Sequence, residues 1–240
     1  MKKPIFHGGL LSALLLLVTP AANAVPVTFE QLTGVTADFT AVFRADLGSS
    51  GLTNLLSIEI TDGGTIAAGR AGIFSAFDLD AVRLSNTLCT TAACAAAAPA
   101  INVFDFVNGV AFTPGTIVPA GSDAGAAGPY LFGTTAAGTA LDNALARLES
   151  FDGIFQVPAG SESGWISLGL NGRIAFNLTS ALSTNGLYLY LGEVGNNGEV
   201  VAGNIEVRDT PVVIDVPEPA TLGLLGLGLL GLGAVRRRRA

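Results

Sequence analysis

Hydrophobic and polar positions alternate with a period of two along most of the chain. Over residues 36–47, Ala37, Phe39, Ala41, Phe43, Ala45 and Leu47 fall on one face, and mostly Thr, Asp and Arg on the other. That pattern predicts a half-buried strand with one wet face. Residues 52–60 repeat it through Leu52, Leu56, Ile58 and Ile60, and Asp62-Gly63-Gly64 turns the chain. Residues 73–84 and 101–107 are further candidate strands, the second followed by the hairpin signal Asn108-Gly109. Asn171-Gly172 gives a second such signal, between strands predicted over 165–170 and 173–178. Strands over 187–194 and 200–208 flank the turn Asn196-Asn197-Gly198. One short helix is expected where Leu141, Leu145 and Leu148 recur at i, i+4 and i+7, with Thr139 as cap and Gly153 as stop. The Gly/Ala/Thr/Pro-rich stretch 113–138 has little periodicity and reads as a long loop. Short, regularly spaced strands with Gly/Asn turns predict an all-β fold, a β-sandwich of jelly-roll-like type.

The two ends break the pattern. Mean hydropathy over the 240 residues is +0.55, and the longest apolar runs are terminal. Lys2 and Lys3 precede an apolar run over 10–18, and Ala22-Asn23-Ala24 supplies a small-residue cleavage pattern. Residues 1–24 thus read as a signal peptide removed by signal peptidase, with Val25 as the first mature residue. At the other end, Pro217-Glu218-Pro219 precedes an apolar run over 220–235 and then Arg236, Arg237, Arg238 and Arg239. Sixteen residues make a helix of about 24 Å, against about 30 Å of bilayer hydrocarbon. This single hydrophobic helix fits with snorkelling arginines, which stay cytoplasmic and put the preceding domain across the membrane. Glycines 223, 226, 228, 231 and 233 never fall four apart, so no G-x-x-x-G dimerisation face exists. Between the ends lie an ectodomain over 25–208 and a linker over 209–216.

Pro217-Glu218-Pro219, the Gly/Leu-rich run and the arginine cluster together resemble the PEP-CTERM sorting signal of bacterial surface proteins, here over 217–240. The resemblance implies an exosortase that processes the chain near Pro-Glu-Pro. It also implies transient anchoring in the inner membrane and a final place on the cell surface or in an exopolysaccharide-rich biofilm matrix. A second resemblance covers 151–208: over 164–176, Ser167-Leu168-Gly169 and Gly172, Ile174 and Phe176 are similar to the S-L-G-x-x-G-x-I-x-F hairpin of secreted bacterial jelly-roll domains, and 189–194 is similar to their hydrophobic strand ending in Glu. There the segment is scaffold and implies no ligand.

Charge and composition narrow the chemistry. Residues 25–216 hold six arginines (44, 70, 83, 147, 173, 208), no Lys and no His, against 18 acidic residues, a net charge of −12. Such a domain repels phosphate backbones, which excludes nucleic acid as a charge-neutralised partner. Without His or Lys it has no imidazole base and no Schiff-base lysine, and no Gly-x-Ser-x-Gly is present. Cys89 and Cys94 are expected to form a disulfide after export, pinning a small loop. Asp78, Asp80, Glu193 and Glu199 supply hard oxygen ligands that suit Ca²⁺, or they are solvated strand faces and turns. No other cofactor is expected. Trp165, Tyr188 and Tyr190, with Tyr130, are candidate sugar-stacking contacts. Tyr188 and Tyr190 share a strand face that is either open to a glycan or covered by other elements. The expected role is therefore structural or adhesive, by non-covalent binding. The alternative is a polysaccharide hydrolase or lyase using carboxylates such as Asp105, Asp142, Glu149 and Glu193.

Overall fold

The computed structural model describes residues 24–36, 40–64, 71–119, 128–155, 162–196 and 203–214. The residues Ala22, Glu199, Pro217, Glu218, Pro219 and Arg236–Arg239, and the predicted membrane span, lie outside them. In chain order the elements are β1 (Ala24–Pro26), β2 (Glu30–Thr36), β3 (Thr40–Asp46), β4 (Asn54–Thr61), β5 (Asp78–Ser85), α1 (Ala92–Ala97), β6 (Val110–Thr113), α2 (Asn143–Ala146), β7 (Ile166–Ser167), β8 (Arg173–Ser183), β9 (Tyr188–Glu193) and β10 (Asn204–Arg208). The strands form two five-stranded antiparallel sheets. Sheet 1 runs β1-β10-β4-β8-β6 and sheet 2 runs β2-β3-β9-β5-β7.

Both sheets feed one core. Phe43, Leu79, Leu189 and Leu191 of sheet 2 join Ile58, Ile60, Ile174, Phe176, Ile205 and Val207 of sheet 1. These residues alternate along their strands, so the period-two pattern located the core-facing positions directly. The outer face of sheet 2 is also covered, against the expectation of one wet face over 36–47. Val42, Ala81 and Tyr190 on that face pack with Leu32, Cys89, Ala92, Ala95 and Phe151. The cover is α1, whose sequence Ala-Ala-Cys-Ala-Ala-Ala has high helix propensity but no polar–apolar rhythm for a pattern to reveal. Thr91 caps it by accepting the Cys94 N–H at 3.2 Å.

The second helix is shorter than its leucine spacing predicts. It starts at Asn143, capped by the Asp142 carboxylate on the Ala144 N–H at 3.1 Å, so Thr139 is not its cap.

Neither hairpin signal makes the hairpin expected of it. Asn171, at φ 59°, and Gly172 do form a tight turn. The turn carries the chain from β7 in sheet 2 to β8 in sheet 1 instead of joining partners. Asn108-Gly109 closes a turn built by Asp105, whose Oδ1 accepts the N–H groups of Val107 and Asn108 at 3.0 and 2.9 Å and whose carbonyl accepts that of Gly109 at 2.8 Å. Only then does β6 begin, pairing with β8 as Val110↔Phe176, while 101–107 contributes one isolated bridge, Phe104↔Leu178. Similarly, β9 and β10 belong to different sheets.

Part of the expected linker is described. Over residues 209–214 the chain is docked on sheet 1: Ser57 Oγ donates to the Thr210 carbonyl, and the Asn177 amide bonds both backbone groups of Val212.

Candidate functional site

The aromatic side chains predicted to stack on sugars are not assembled into a surface. Trp165 is fully buried, wedged among Phe74, Phe132 and Phe155 at ring-centroid distances of 5.8, 4.4 and 5.8 Å. Tyr190 is fully buried beneath α1, so the covered alternative holds on this strand face. Its hydroxyl accepts the Cys89 N–H at 2.9 Å and donates to the Thr87 carbonyl at 2.6 Å. Burial pushes that phenol up from its ordinary value. Tyr188 keeps a partly open ring, with the Arg44 guanidinium 5.9 Å from its centroid. Tyr130 is 45% exposed.

The carboxylates predicted to offer oxygen to Ca²⁺ are buried as well. Asp78, Asp80 and Glu193 sit inside sheet 2, and Glu199 lies outside the described residues. Desolvation drives Asp78 well above the usual carboxylate range, opposed by the Ser167 hydroxyl and reinforced by the nearby Glu193. Desolvation likewise raises Asp80 to about 7, although its Oδ1 accepts the N–H groups of Asp152 and Gly153 at 3.2 and 2.9 Å. Groups in this setting favour a proton over a charge. Among the described residues no trio of His, Cys, Asp or Glu is grouped to hold a metal ion. The other carboxylates have local duties: Asp105 builds its turn, Asp142 caps α2, and Glu149 accepts the Asn143 amide at 3.0 Å. The backbone N–H of Asn108 leads the contacts that hold Asp105 below its ordinary pKa.

Cys89 and Cys94 are joined as a disulfide with Cα atoms 5.5 Å apart. The loop is further held by Arg44, which donates to the Cys89 carbonyl.

A groove of about 250 Å³ opens where the 100–106 segment and the residues around Glu149 flank the stretch of β5 beyond its pairing with β7. The backbone of β5 is already occupied there: the Val82 N–H donates to Leu148 and the Leu84 carbonyl accepts from Ile101. Phe104 and Phe106 stack on each other, 5.6 Å apart at 26°, and both meet Phe176 edge-on. Their half-exposed rings line the groove beside Asn102, Glu149 and Arg83. Arg44, Arg147, Arg173 and Arg208 pair with carboxylates. Arg83 instead donates to the carbonyls of Ala95, Ala96 and Ala98 at the end of α1 and of Glu149, and lies 5.3 Å from the Phe151 ring. Its Nε is buried without a hydrogen bond, and desolvation lowers its pKa. Sequence reasoning treated 101–107 only as a strand. The usable signal was Phe104 and Phe106 two residues apart, which an extended segment places on one side.

Residues 215–239 match the family described as the PEP-CTERM protein-sorting motif. That stretch contains Pro217, Glu218, Pro219 and Arg236–Arg239, the residues on which the resemblance rested. The match marks an exported, membrane-transiting protein associated with the cell surface, with an exosortase as its processing partner. No curated protein and no solved structure matches the chain. Among the described residues no helix is long and apolar enough to cross a membrane.

Proposed function

We propose that this chain is a non-enzymic surface or matrix protein whose ectodomain holds polysaccharide in the Phe104–Phe106 groove. Signal peptidase removes residues 1–24, and the exosortase acts near Pro217-Glu218-Pro219 after transient anchoring through 220–235. The observation that carries the sorting half is the match over 215–239. The groove supports the binding half. Stacked rings offer an apolar floor to the C–H face of a sugar, while the side chains of Asn102 and Glu149 offer partners for hydroxyls. The ligand class is a neutral or mixed-charge glycan of the surrounding matrix, and no cofactor is needed.

The strand order supports a jelly-roll sandwich. Lettering β3 to β9 in sequence as B, C, D, E, G, H and I gives B-I-D-G in sheet 2 and C-H-E in sheet 1. Between β6 and β7, where strand F falls in that order, the described residues supply α2 and no paired strand, and β1, β2 and β10 extend the edges.

The test uses the protein in its processed, surface-released form on an exopolysaccharide panel, read by affinity electrophoresis and by new reducing ends. Retention without new ends, weakened at least tenfold by Phe106→Ala, is the expected result. Turnover of any glycan would give the function to an enzyme, and retention unaffected by Phe104→Ala and Phe106→Ala would remove the groove from it. Deleting residues 217–240 should abolish processing and surface retention.

A further inference from the structure

Ser57 and Asn177 stand directly opposite each other in the β4–β8 pairing. Their neighbours Ile58 and Phe176 point into the core, so the pair faces outward from sheet 1. The chain leaving β10 at Arg208 folds back over them. Ser57 Oγ donates to the Thr210 carbonyl at 2.7 Å. Asn177 closes a two-bond ring on Val212, donating from Nδ2 to its carbonyl at 2.8 Å and accepting its N–H on Oδ1 at 2.7 Å. Val212 and Ile214 are half-buried, whereas Pro211 and Val213 are exposed, the period-two pattern of an extended segment with one face covered. Because Thr210 lies at β4 and Val212 at β8, the segment crosses the strands from β10 toward β6.

The described part of the strap reaches the start of the sorting motif. The match starts at residue 215, one residue past Ile214. Eight free residues over 209–216 would reach about 27 Å, but a docked strap leaves Pro217 within about 10 Å of Ile214. The enzyme that cuts near Pro-Glu-Pro must hold residues on both sides of its cleavage point. While Val212 is bonded to Asn177, the approach to the motif is held against sheet 1 and is less available to that cleft.

We propose that the outer face of sheet 1 is a docking surface for residues 209–214 that competes with the exosortase for the approach to its motif. This rests on the sorting reading of residues 215–239. Processing runs through the undocked strap, and its rate follows the undocked fraction. Asn177 is the positioning residue, acting only through Val212.

The test follows tail removal by pulse-chase for the full chain in an exosortase-bearing host, beside amide exchange at Val212 in the unprocessed protein. Asn177→Leu removes both side-chain bonds at an outward position. It should speed processing roughly tenfold and expose the Val212 amide, with the Leu191 amide still protected. An eight-residue Gly/Ser insertion after Ile214 should speed processing equally, and Asn177→Leu added to it should bring no further gain. Asn177→Asp, which keeps the acceptor for the Val212 N–H, should fall between. Unchanged or slower processing in Asn177→Leu overturns the competition, and an unprotected Val212 amide in the wild type overturns the docking. Retention of the tail by the wild type overturns the sorting reading and the competition together, while exchange at Val212 still reports the docking separately.

Discussion

The Tyr190 hydroxyl bridges β9 to the disulfide loop, accepting the Cys89 N–H at 2.9 Å and donating to the Thr87 carbonyl at 2.6 Å. A ring that the sequence offered as a sugar platform is thus a buried strut. Tyr190→Phe leaves the buried Cys89 N–H without an acceptor, which costs about 1–3 kcal/mol. Tyr188→Phe, on a partly open ring, should change stability by less than about 0.5 kcal/mol. Urea unfolding of the two variants beside the wild type measures the contrast. Equal effects would show that the bridge contributes nothing specific.

The disulfide Cys89–Cys94 closes a very short loop, so its effect through unfolded-state entropy is about 2 kcal/mol. Tyr190 fastens the same loop from the other side. Cys89→Ala with Cys94→Ala should therefore destabilise by about 2 kcal/mol, and adding Tyr190→Phe should give less than the sum of the separate effects. A double-mutant cycle by denaturant unfolding checks this, and strict additivity would mean that the two fastenings act on independent parts of the loop.

Gly172 sits at the crossing between the sheets, where an added Cβ would overlap the Leu168 carbonyl oxygen and crowd the Gly115 backbone. These are backbone atoms of neighbouring segments and cannot rotate away. Gly172→Ala should destabilise by more than about 3 kcal/mol or prevent folding. Gly51→Ala is the contrast. Its Cβ meets nothing within 4 Å, and its positive φ of 79° adds only local strain, about 1–2 kcal/mol. Thermal unfolding of both variants separates crowding from backbone strain.

These positions show what a linear pattern carries and what it omits. Alternation at Phe43, Ile58, Ile60 and Leu191 marked core-facing residues because strand period and burial coincide there. The turn at Asn171-Gly172 was legible, but its destination was not, because a tight turn has the same chemistry whether it joins partners or switches sheets. Tyr188 and Tyr190 fell on one face as read, yet α1 buries the second and not the first. An alanine helix gives no amphipathic signal, so its cover was invisible. Asp78 and Asp80 looked like surface ligands because residue type says nothing of desolvation. The groove needed Phe104 and Phe106 to meet Arg83 and Glu149 from distant segments, a conjunction that only folding creates.

Asp80 gives stability a pH dependence of unusual sign. Burial raises its pKa from an ordinary 3.8 to about 7, a shift only partly opposed by the Thr40 hydroxyl and by the N–H groups of Gly153 and Asp152. Between about pH 4 and 7 the unfolded chain has released this proton while the native chain still holds it. The unfolded state then binds fewer protons, so stability falls as pH rises through this window. Below about pH 4 both states hold the proton and the contribution is complete; above about pH 7 both have lost it and the decline stops. A shift of this size corresponds to an effect on the order of 4 kcal/mol. Asp78, also raised chiefly by burial, adds in the same direction. Asp80→Asn keeps an acceptor for the Asp152 and Gly153 N–H groups but cannot ionise. It should flatten the fall between pH 4 and 7 and match or exceed wild-type stability at pH 7. Denaturant midpoints of both proteins at half-unit steps from pH 4 to 8 measure this, and an identical pH dependence in wild type and Asp80→Asn would show that Asp80 does not hold its proton in the native protein.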